Sequence, residues 1–285
     1  MELLQLKYFC DAAESENFSK TAKKYGVPAS NISQSIHRLE KEFGITFFDR
    51  TANRIKLNHQ GKIFYEDTRK ALLLLEGVKE KIADREDISG ELKILAEINR
   101  RIVTDAVEIF SKDNKNVSFY INHYEDKEIS NYDFIITDKI FTNENYVRIK
   151  LATDEILLAI KKNNPLCNLK SIKPEDLKNQ RFITMSNKSS LYNITYEICS
   201  MGGFNPDIAI LTEDPGYIRK YVEQGLGVAF IPSFSWRGMF SENVILKKVA
   251  NKTRDTFVYY EKNKYMTKAE ELFLAALKKS SKMDF

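Results

Sequence analysis

The residues best placed to do chemistry lie in the stretch NFSKTAKKYGVPASNISQSIHRLE, Asn17 to Glu40. Within it Ser30, Ser33, Gln34, His37 and Lys41 fall on one side of a helix. All five are hydrogen-bonding side chains, and base edges in a major groove offer the donors and acceptors that such side chains pair with. The opposite side carries Ile32, Ile36, Leu39 and Phe43 at steps of 4, 3 and 4, an apolar stripe that faces a core. Pro28 starts this helix, where its missing N–H costs nothing. A shorter helix precedes it, capped by the Ser19 hydroxyl and running through Lys20, Ala22 and Lys24 to Tyr25. Gly26 then suits the left-handed position past a helix end. A short helix, a glycine turn and a longer helix make a helix-turn-helix, whose second helix reads DNA. Two amphipathic helices of an ordinary core share this pattern, and this stretch alone weighs the two readings evenly.

Other chemistries find little support. His37, His59 and His123 are far apart in sequence, and no glycine-rich phosphate loop stands between a strand and a helix. No Ser–His–Asp set is visible in the chain order. Cys10, Cys167 and Cys199 are too few and too scattered for a zinc site or a disulfide framework. No catalytic residue, metal or cofactor is therefore expected, and the protein reads as a binding protein and not an enzyme.

Stepping outward to the elements that position the polar face, 285 residues suit two or three compact units. Hydrophobic content of 43% and charged content of 29% are those of a globular protein. The net charge of +4 is mild, and residues 1–61 hold nine Lys or Arg against seven Asp or Glu, so basic residues matter only if clustered on one side. No apolar run reaches the ~18 residues of a membrane span. The start, MELLQLKYFCDAAES, has early acids and no cationic leader, which points to the cytoplasm.

In chain order, residues 3–14 form a helix with Leu3, Leu6, Phe9, Cys10 and Ala13 on one side. After the helix pair, Gly44 is a stop, and Ile45, Phe47 and Phe48 are anchors. RTANRIKL, Arg50 to Leu57, reads as a hairpin turning at Ala52–Asn53, with Arg50, Arg54 and Lys56 at its edge. A basic hairpin beside a recognition helix is a wing that contacts phosphates or a minor groove, although such cations elsewhere are simply solvated. A long helix follows from Asn58 to about Asp84, roughly 40 Å at 1.5 Å per residue. Phe64, Thr68, Ala71, Leu75, Val78 and Ile82 make a heptad seam along it, widened by Leu72, Leu73 and Leu74. REDISG, residues 85–90, is a polar hinge. Beyond it strands alternate with helices: strands at Leu92–Ala96, Val117–Asn122, Phe134–Thr137, Glu155–Lys161, Ile183–Met185, Ile208–Leu211 and Phe257–Tyr260, and helices at Ile102–Ser111, Ile218–Gln224 and Thr267–Ser280. GLGVAFIP, Gly225 to Pro232, adds a buried strand, and the whole implies an α/β unit with a largely parallel sheet.

Residues 1–65 resemble the DNA-binding domain of LysR-type transcriptional regulators. The match is carried by Leu6, Phe9, Ala13, Phe18, Ser19, Ala22, Val27, Ser33, Ile36, Leu39, Glu40, Gly44, Phe48, Arg50, Leu57 and Gly61, at the family's spacing without a gap. LEKEFGITFFDR follows the family's LE-x-x-LG-x-x-LF-x-R. The chain departs at Thr21, where the family usually has Ala, and at Pro28–Ala29, where it has Ser-Gln. That Gln commonly reaches a base, so Ala29 implies an altered operator preference. Asn58 replaces a Thr that serves equally as a cap. The second half resembles the family's effector-binding domain, itself similar to periplasmic solute-binding proteins, at Asp133–Ile136, Asn164–Leu166, Glu175–Leu177, Gly203–Phe204 and Gly225–Pro232. It departs between Val117 and Asp133, where about ten residues replace a full helix, so the effector pocket is reshaped or lost.

The resemblance implies an α+β multidomain fold: a winged helix-turn-helix (1–58), a dimerising linker helix (59–88) and a two-subdomain α/β effector domain (89–285). Subdomain I would hold residues 89–160 and 262–285, and subdomain II residues 161–261, with strands near Leu158–Lys162 and Phe257–Tyr260 crossing between them. Position 29 and Ser30, Asn31, Ser33, Gln34 and His37 would face bases. Lys20, Arg38, Arg50, Arg54 and Lys56 would hold phosphates, with Ser19 helping by its hydroxyl. The effector cleft, beyond the carboxyl ends of the strands, would draw on Asn99, Arg100, Thr137, Ser186, Asn187, Lys188 and Ser189. Its cations and helix N-termini suit a small anion such as an organic acid, while helix capping explains each polar residue singly as well. Implied partners are promoter DNA, the effector, further copies of the chain as dimer or tetramer, and RNA polymerase, with no membrane. Cys167 and Cys199 could form a redox switch like that of peroxide-sensing relatives only if close and reactive, and Cys199 sits between core residues. The rival from another class is a solute-binding protein whose N-terminal helices only dimerise; a face free of apolar residues from Ala29 to Lys41 argues against it.

Overall fold

The computed structural model describes residues 1–51, 54–83, 88–124, 126 and 128–282. Two compact units emerge: Met1–Asp87 with Asn263–Thr267, and Ile88–Lys262 with Lys268–Phe285.

The first unit begins with α1 (Leu3–Ser15), α2 (Phe18–Tyr25) and α3 (Ala29–Phe43), then a hairpin of β1 (Phe48–Thr51) and β2 (Arg54–Leu57), then α4 (His59–Ala83). Its core joins Phe9, Ala12 and Ala13 of α1 to Ile32, Ile36 and Leu39 of α3 and Leu72 of α4. Burying each large aliphatic side chain stabilises the unit by about 1.5–3 kcal/mol. Aromatic rings lock the elements together: Phe47 stacks on Phe64 at 4.4 Å, and Phe9 meets each of them at 5.0 Å. Gly61 lies where α4 crosses Phe47, and a Cβ there would stand 2.1 Å from the Phe47 carbonyl oxygen. Only glycine permits that approach. Two members of the expected apolar faces lie outside this core, since Leu3 and Phe43 are exposed. Asn58 caps α4 as expected, its Oδ1 accepting the Gly61 N–H at 2.8 Å. The wing turn Ala52–Asn53, the side chain of Arg54 and residues 85–87 of the REDISG hinge lie outside the described residues.

The second unit opens with β3 (Gly90–Ala96), α5 (Arg100–Ser111), β4 (Val117–Asn122) and β5 (Phe134–Thr137). Then come β6 (Tyr146–Lys161), β7 (Arg181–Met185), α6 (Ser190–Met201), β8 (Asp207–Thr212) and α7 (Pro215–Gln224). The chain closes with β9 (Ala229–Pro232), β10 (Val244–Lys247), β11 (Thr253–Glu261) and α8 (Lys268–Ser280). One seven-stranded sheet has the order β10-β6-β11-β5-β3-β4, with β9 on the other side of β6. β3 pairs parallel with β4 and β5, whereas β6 pairs antiparallel with β9, β10 and β11, so the sheet is mixed and not largely parallel. β6 has 16 residues, not the seven of Glu155–Lys161: its first half pairs with β11 and its last residues lie between β9 and β10. It is therefore the strand common to both parts of the unit. β7 and β8 form a separate parallel pair packed with α6 and α7 around Phe182, Ile198, Val222 and Trp236. On the other side Phe110, Phe119, Phe134 and Phe273 form a ring cluster beneath α5 and α8. Between β4 and β5 the described residues contain a single 3-10 turn, Ile129–Asn131, and no α-helix. Tyr132 stands in part for the missing packing: its hydroxyl accepts from Asn122 Nδ2 and donates to Asp126, both at 2.8 Å.

Candidate functional site

The turn between α2 and α3 is closed by backbone bonds. Gly26, at φ 64°, donates to Ala22 and Lys23, and the Val27 N–H reaches Ala22 O at 3.1 Å. α2 is capped by Asn17, whose Oδ1 accepts the Lys20 N–H at 3.0 Å. Ser19 is inside α2 and exposed, which corrects its expected role as the cap. The inner face of α3 is sealed, with Ile32, Ile36 and Leu39 out of contact with water. On the outer face Ala29, Ser30, Asn31, Gln34, His37 and Arg38 are exposed and Ser33 is half-buried. Among the described residues the side chains of Ser30, Asn31, Gln34, His37 and Arg38 make no hydrogen bond or ion pair, so their donors and acceptors face solvent uncommitted.

Arg50, expected to hold a phosphate, is partly exposed and also makes an internal contact. Its Nη2 donates to Glu40 Oε2 at 2.9 Å, and its guanidinium lies 5.6 Å from the Phe18 ring centre. Glu40 is buried and also accepts the Phe47 N–H at 2.9 Å through Oε1. Arg50 thus neutralises a buried carboxylate that fastens α3 to the wing, since an unpaired buried charge is strongly unfavourable. Lys56 is exposed on β2 opposite Asp49. Lys20 is exposed on α2.

In the second unit two cavities open beside the carboxyl end of β3. One, of about 120 Å³, is lined by Asn99, Arg100 and Ser189 together with Asp214, Arg219, Trp236 and Arg254. The other, of about 180 Å³, is lined by Ser186, Lys188 and Ser189 together with His123, Asp138 and Glu213. Thr137 and Asn187 line neither. Thr137 is buried and donates to Glu97 Oε2 at 2.6 Å, while Lys139 pairs with Glu97 Oε1 at 3.0 Å. Asn99 sits at φ 47°, caps α5 through Ile102 N–H and donates to Thr256 at 3.1 Å. Ser189 caps α6, and Ser190 donates to Asp138. The capping role therefore accounts for Asn99 and Ser189. Burial lowers the pKa of His123 below its ordinary value; the Ala96 carbonyl opposes, and Arg100 adds to the lowering. Cys199 is wholly buried, and burial pushes its thiol up to about 12, the opposite of a reactive thiolate.

Residues 3–62 match the bacterial regulatory helix-turn-helix family of LysR type, and residues 85–282 match the LysR substrate binding domain. The chain belongs to the LysR family of transcriptional regulators. Its relatives include the transcriptional dual regulator GltC of Bacillus subtilis, 28% identical over 242 residues and 81% of each chain. AlsR of the same organism is 26% identical over 260 residues, covering 87% of this chain and 86% of that protein. A full-length OxyR variant from Pseudomonas aeruginosa superposes with a TM-score of 0.65 at 18% identity, over 99% of this chain and 95% of that one. CbnR bound to its target DNA superposes with a TM-score of 0.55 at 20% identity, over 99% and 100%. As a LysR-type regulator the protein carries a DNA-binding helix-turn-helix and an effector-binding domain. No helix among its described residues is long and apolar enough to cross a membrane.

Two residues of this regulator's cleft escaped the sequence reading, Arg219 and Arg254. The start of α7 was legible in Asp214–Pro215, a cap followed by a first-turn proline. Arg254 carried no local signal, because only the register of β11 on β6 places it opposite Asp154.

Proposed function

We propose that this regulator reads promoter DNA as a dimer through the outer face of α3, and that a small effector in the second unit biases its DNA contacts. The observation that carries the first part is the set of exposed, uncommitted hydrogen-bonding side chains on α3, held by a dry core one helix radius behind them. Ser30, Asn31, Ser33, Gln34 and His37 read base edges. Ala29 offers no hydrogen bond, so the operator differs from one read by a glutamine there. Lys20, Arg38, Arg54 and Lys56 hold phosphates, and Ser19 adds a hydroxyl. Arg50 keeps free N–H groups beyond its bond to Glu40, yet its first task is internal. The dimer reading rests on α4, whose Leu74, Leu75, Val78 and Ile82 are all more than half exposed. A second α4 would cover this stripe and bring two recognition helices to one site. The regulator works in the cytoplasm, and RNA polymerase is its further contact at the promoter. An effector acts by binding two arrangements of the subunits unequally.

The test is capture of genomic fragments by the full-length protein at two salt concentrations against excess unrelated duplex, beginning with the region upstream of its own gene. Selective capture that survives higher salt is expected. Weak capture of every fragment, lost with salt, would leave only non-specific phosphate binding.

A further inference from the structure

Arg254 lines the 120 Å³ cavity and is only 6% exposed. A buried guanidinium is costly unless acceptors surround it. Its partner Asp154 stands 3.7 Å away, and its bond from Nη2 to Ser235 Oγ is 3.5 Å long, both beyond a good hydrogen bond. Asp154 is held elsewhere: Oδ1 accepts the N–H groups of Phe234 and Ser235, each at 2.8 Å, and Oδ2 takes the Ser235 hydroxyl. Among the described residues the Arg254 Nε–H has no acceptor. Two further guanidiniums line the same cavity, Arg100 and Arg219. Arg100 has no ion pair among the described residues, and Arg219 lies half-buried 5.4 Å from the Trp236 ring centre. Burial lowers the pKa of Arg219, Asp214 opposes, and Arg100 adds to the lowering, so these two cations feel each other. The acids at the cavity are committed, Glu97 to Thr137 and Lys139, and Asp214 to the Gly216 N–H at 2.6 Å. The wall also holds the polar Asn99, Ser189 and Ser235 and an apolar group, Ile98, Leu191, Trp236 and Met239.

We infer that this cavity binds the carboxylate of a small organic acid, anchored by Arg254 and flanked by Arg100 and Arg219, with the acid's apolar body against Trp236 and Leu191. The inference rests on the effector reading and narrows it to one cavity and one anchor. An apolar cavity of about 150 Å³ accommodates a benzene ring, so the acid carries about one ring or a short chain. A bare inorganic anion would meet the cations and leave the apolar wall unfilled.

The test is calorimetry on the full-length protein with benzoate, butyrate and inorganic phosphate. One of the two carboxylates is expected to bind, with phosphate at least tenfold weaker. Arg254→Lys keeps the charge facing Asp154 and removes the Nε donor; Arg100→Gln changes a half-buried residue with no ion pair to lose. Each should weaken the acid at least tenfold. If Arg254→Lys fails to fold, Arg100→Gln decides alone. Absence of heat with both acids, phosphate binding as tightly as the acid, or affinity unchanged in the substituted proteins would each overturn the inference while fragment capture persists. Loss of fragment capture in the unsubstituted protein would instead strike the promoter-binding reading.

Discussion

The outer face of α3 and the cleft of the second unit both carry many polar side chains, and they use them in opposite ways. On α3 the side chains of Ser30, Asn31, Gln34, His37 and Arg38 are spent on nothing else among the described residues. In the cleft, Thr137 binds Glu97, Glu97 binds Lys139, Asn99 binds Thr256 and Ser190 binds Asp138. A polar residue therefore marks a recognition surface only when its donors and acceptors are left over after the fold has been satisfied. By that measure the cleft's unmet groups among the described residues include Arg254 and Arg100, while the wing's Arg50 spends one N–H on Glu40 and keeps an exposed edge.

The contrast can be broken most severely at α4. Leu75→Asp with Val78→Asp should leave the fold intact and make the protein monomeric in sedimentation velocity. Affinity for its own promoter should fall about 10³-fold, or ~4 kcal/mol, toward non-specific binding. Unchanged affinity would mean that one copy of the α3 face suffices. Gly61→Ala should cost the first unit about 3 kcal/mol through the clash with Phe47, outweighing the gain in helix propensity. Circular dichroism would show this as an early transition, while the fluorescence of Trp236, the single tryptophan, keeps its own midpoint in the second unit. One coincident transition would show that the units are not independent.

Smaller effects sharpen the division between free and committed side chains. Gln34→Ala should cost ~2 kcal/mol of discrimination at one base pair, read by competition between operator variants. Lys56→Ala should weaken all sequences alike and reduce the salt slope by about one. Identical behaviour of the two would refute the assignment of base and phosphate roles. Glu40→Gln should lower stability by about 1.5 kcal/mol in urea titration, since Arg50 loses its ion and the Phe47 N–H its strongest acceptor. A purely DNA-directed Arg50 would show no such loss. The least effect is expected from peroxide: with Cys199 buried and its thiol pushed up to about 12, promoter affinity should be the same under mild peroxide and under thiol.

Much of the fold is legible in the sequence. The steps of 4, 3 and 4 at Ile32, Ile36, Leu39 and Phe43 marked the α3 face, and three of these four are fully buried. The strands Val117–Asn122 and Phe134–Thr137 carry the boundaries read from their residues. Val147, Ile149 and Leu151 alternate with Arg148 and Lys150, a period of two that marks the first part of β6 as a strand. The Ser19 cap went astray because Asn17 and Ser19 are both good caps two residues apart, and a single 3.0 Å bond decides between them.

What the sequence by itself determined about this protein is what short-range chemistry controls: the helix and strand periods, the glycine turn, the polar face of α3 and the family to which they belong. Tertiary structure alone decided which polar residues remain available. Arg254 meets Asp154 across the β6–β11 register, and Glu40 collects Arg50 and Phe47 from the wing. Partners brought together over tens of residues leave no periodic trace in the chain, because their pairing depends on how whole elements dock and not on local propensity.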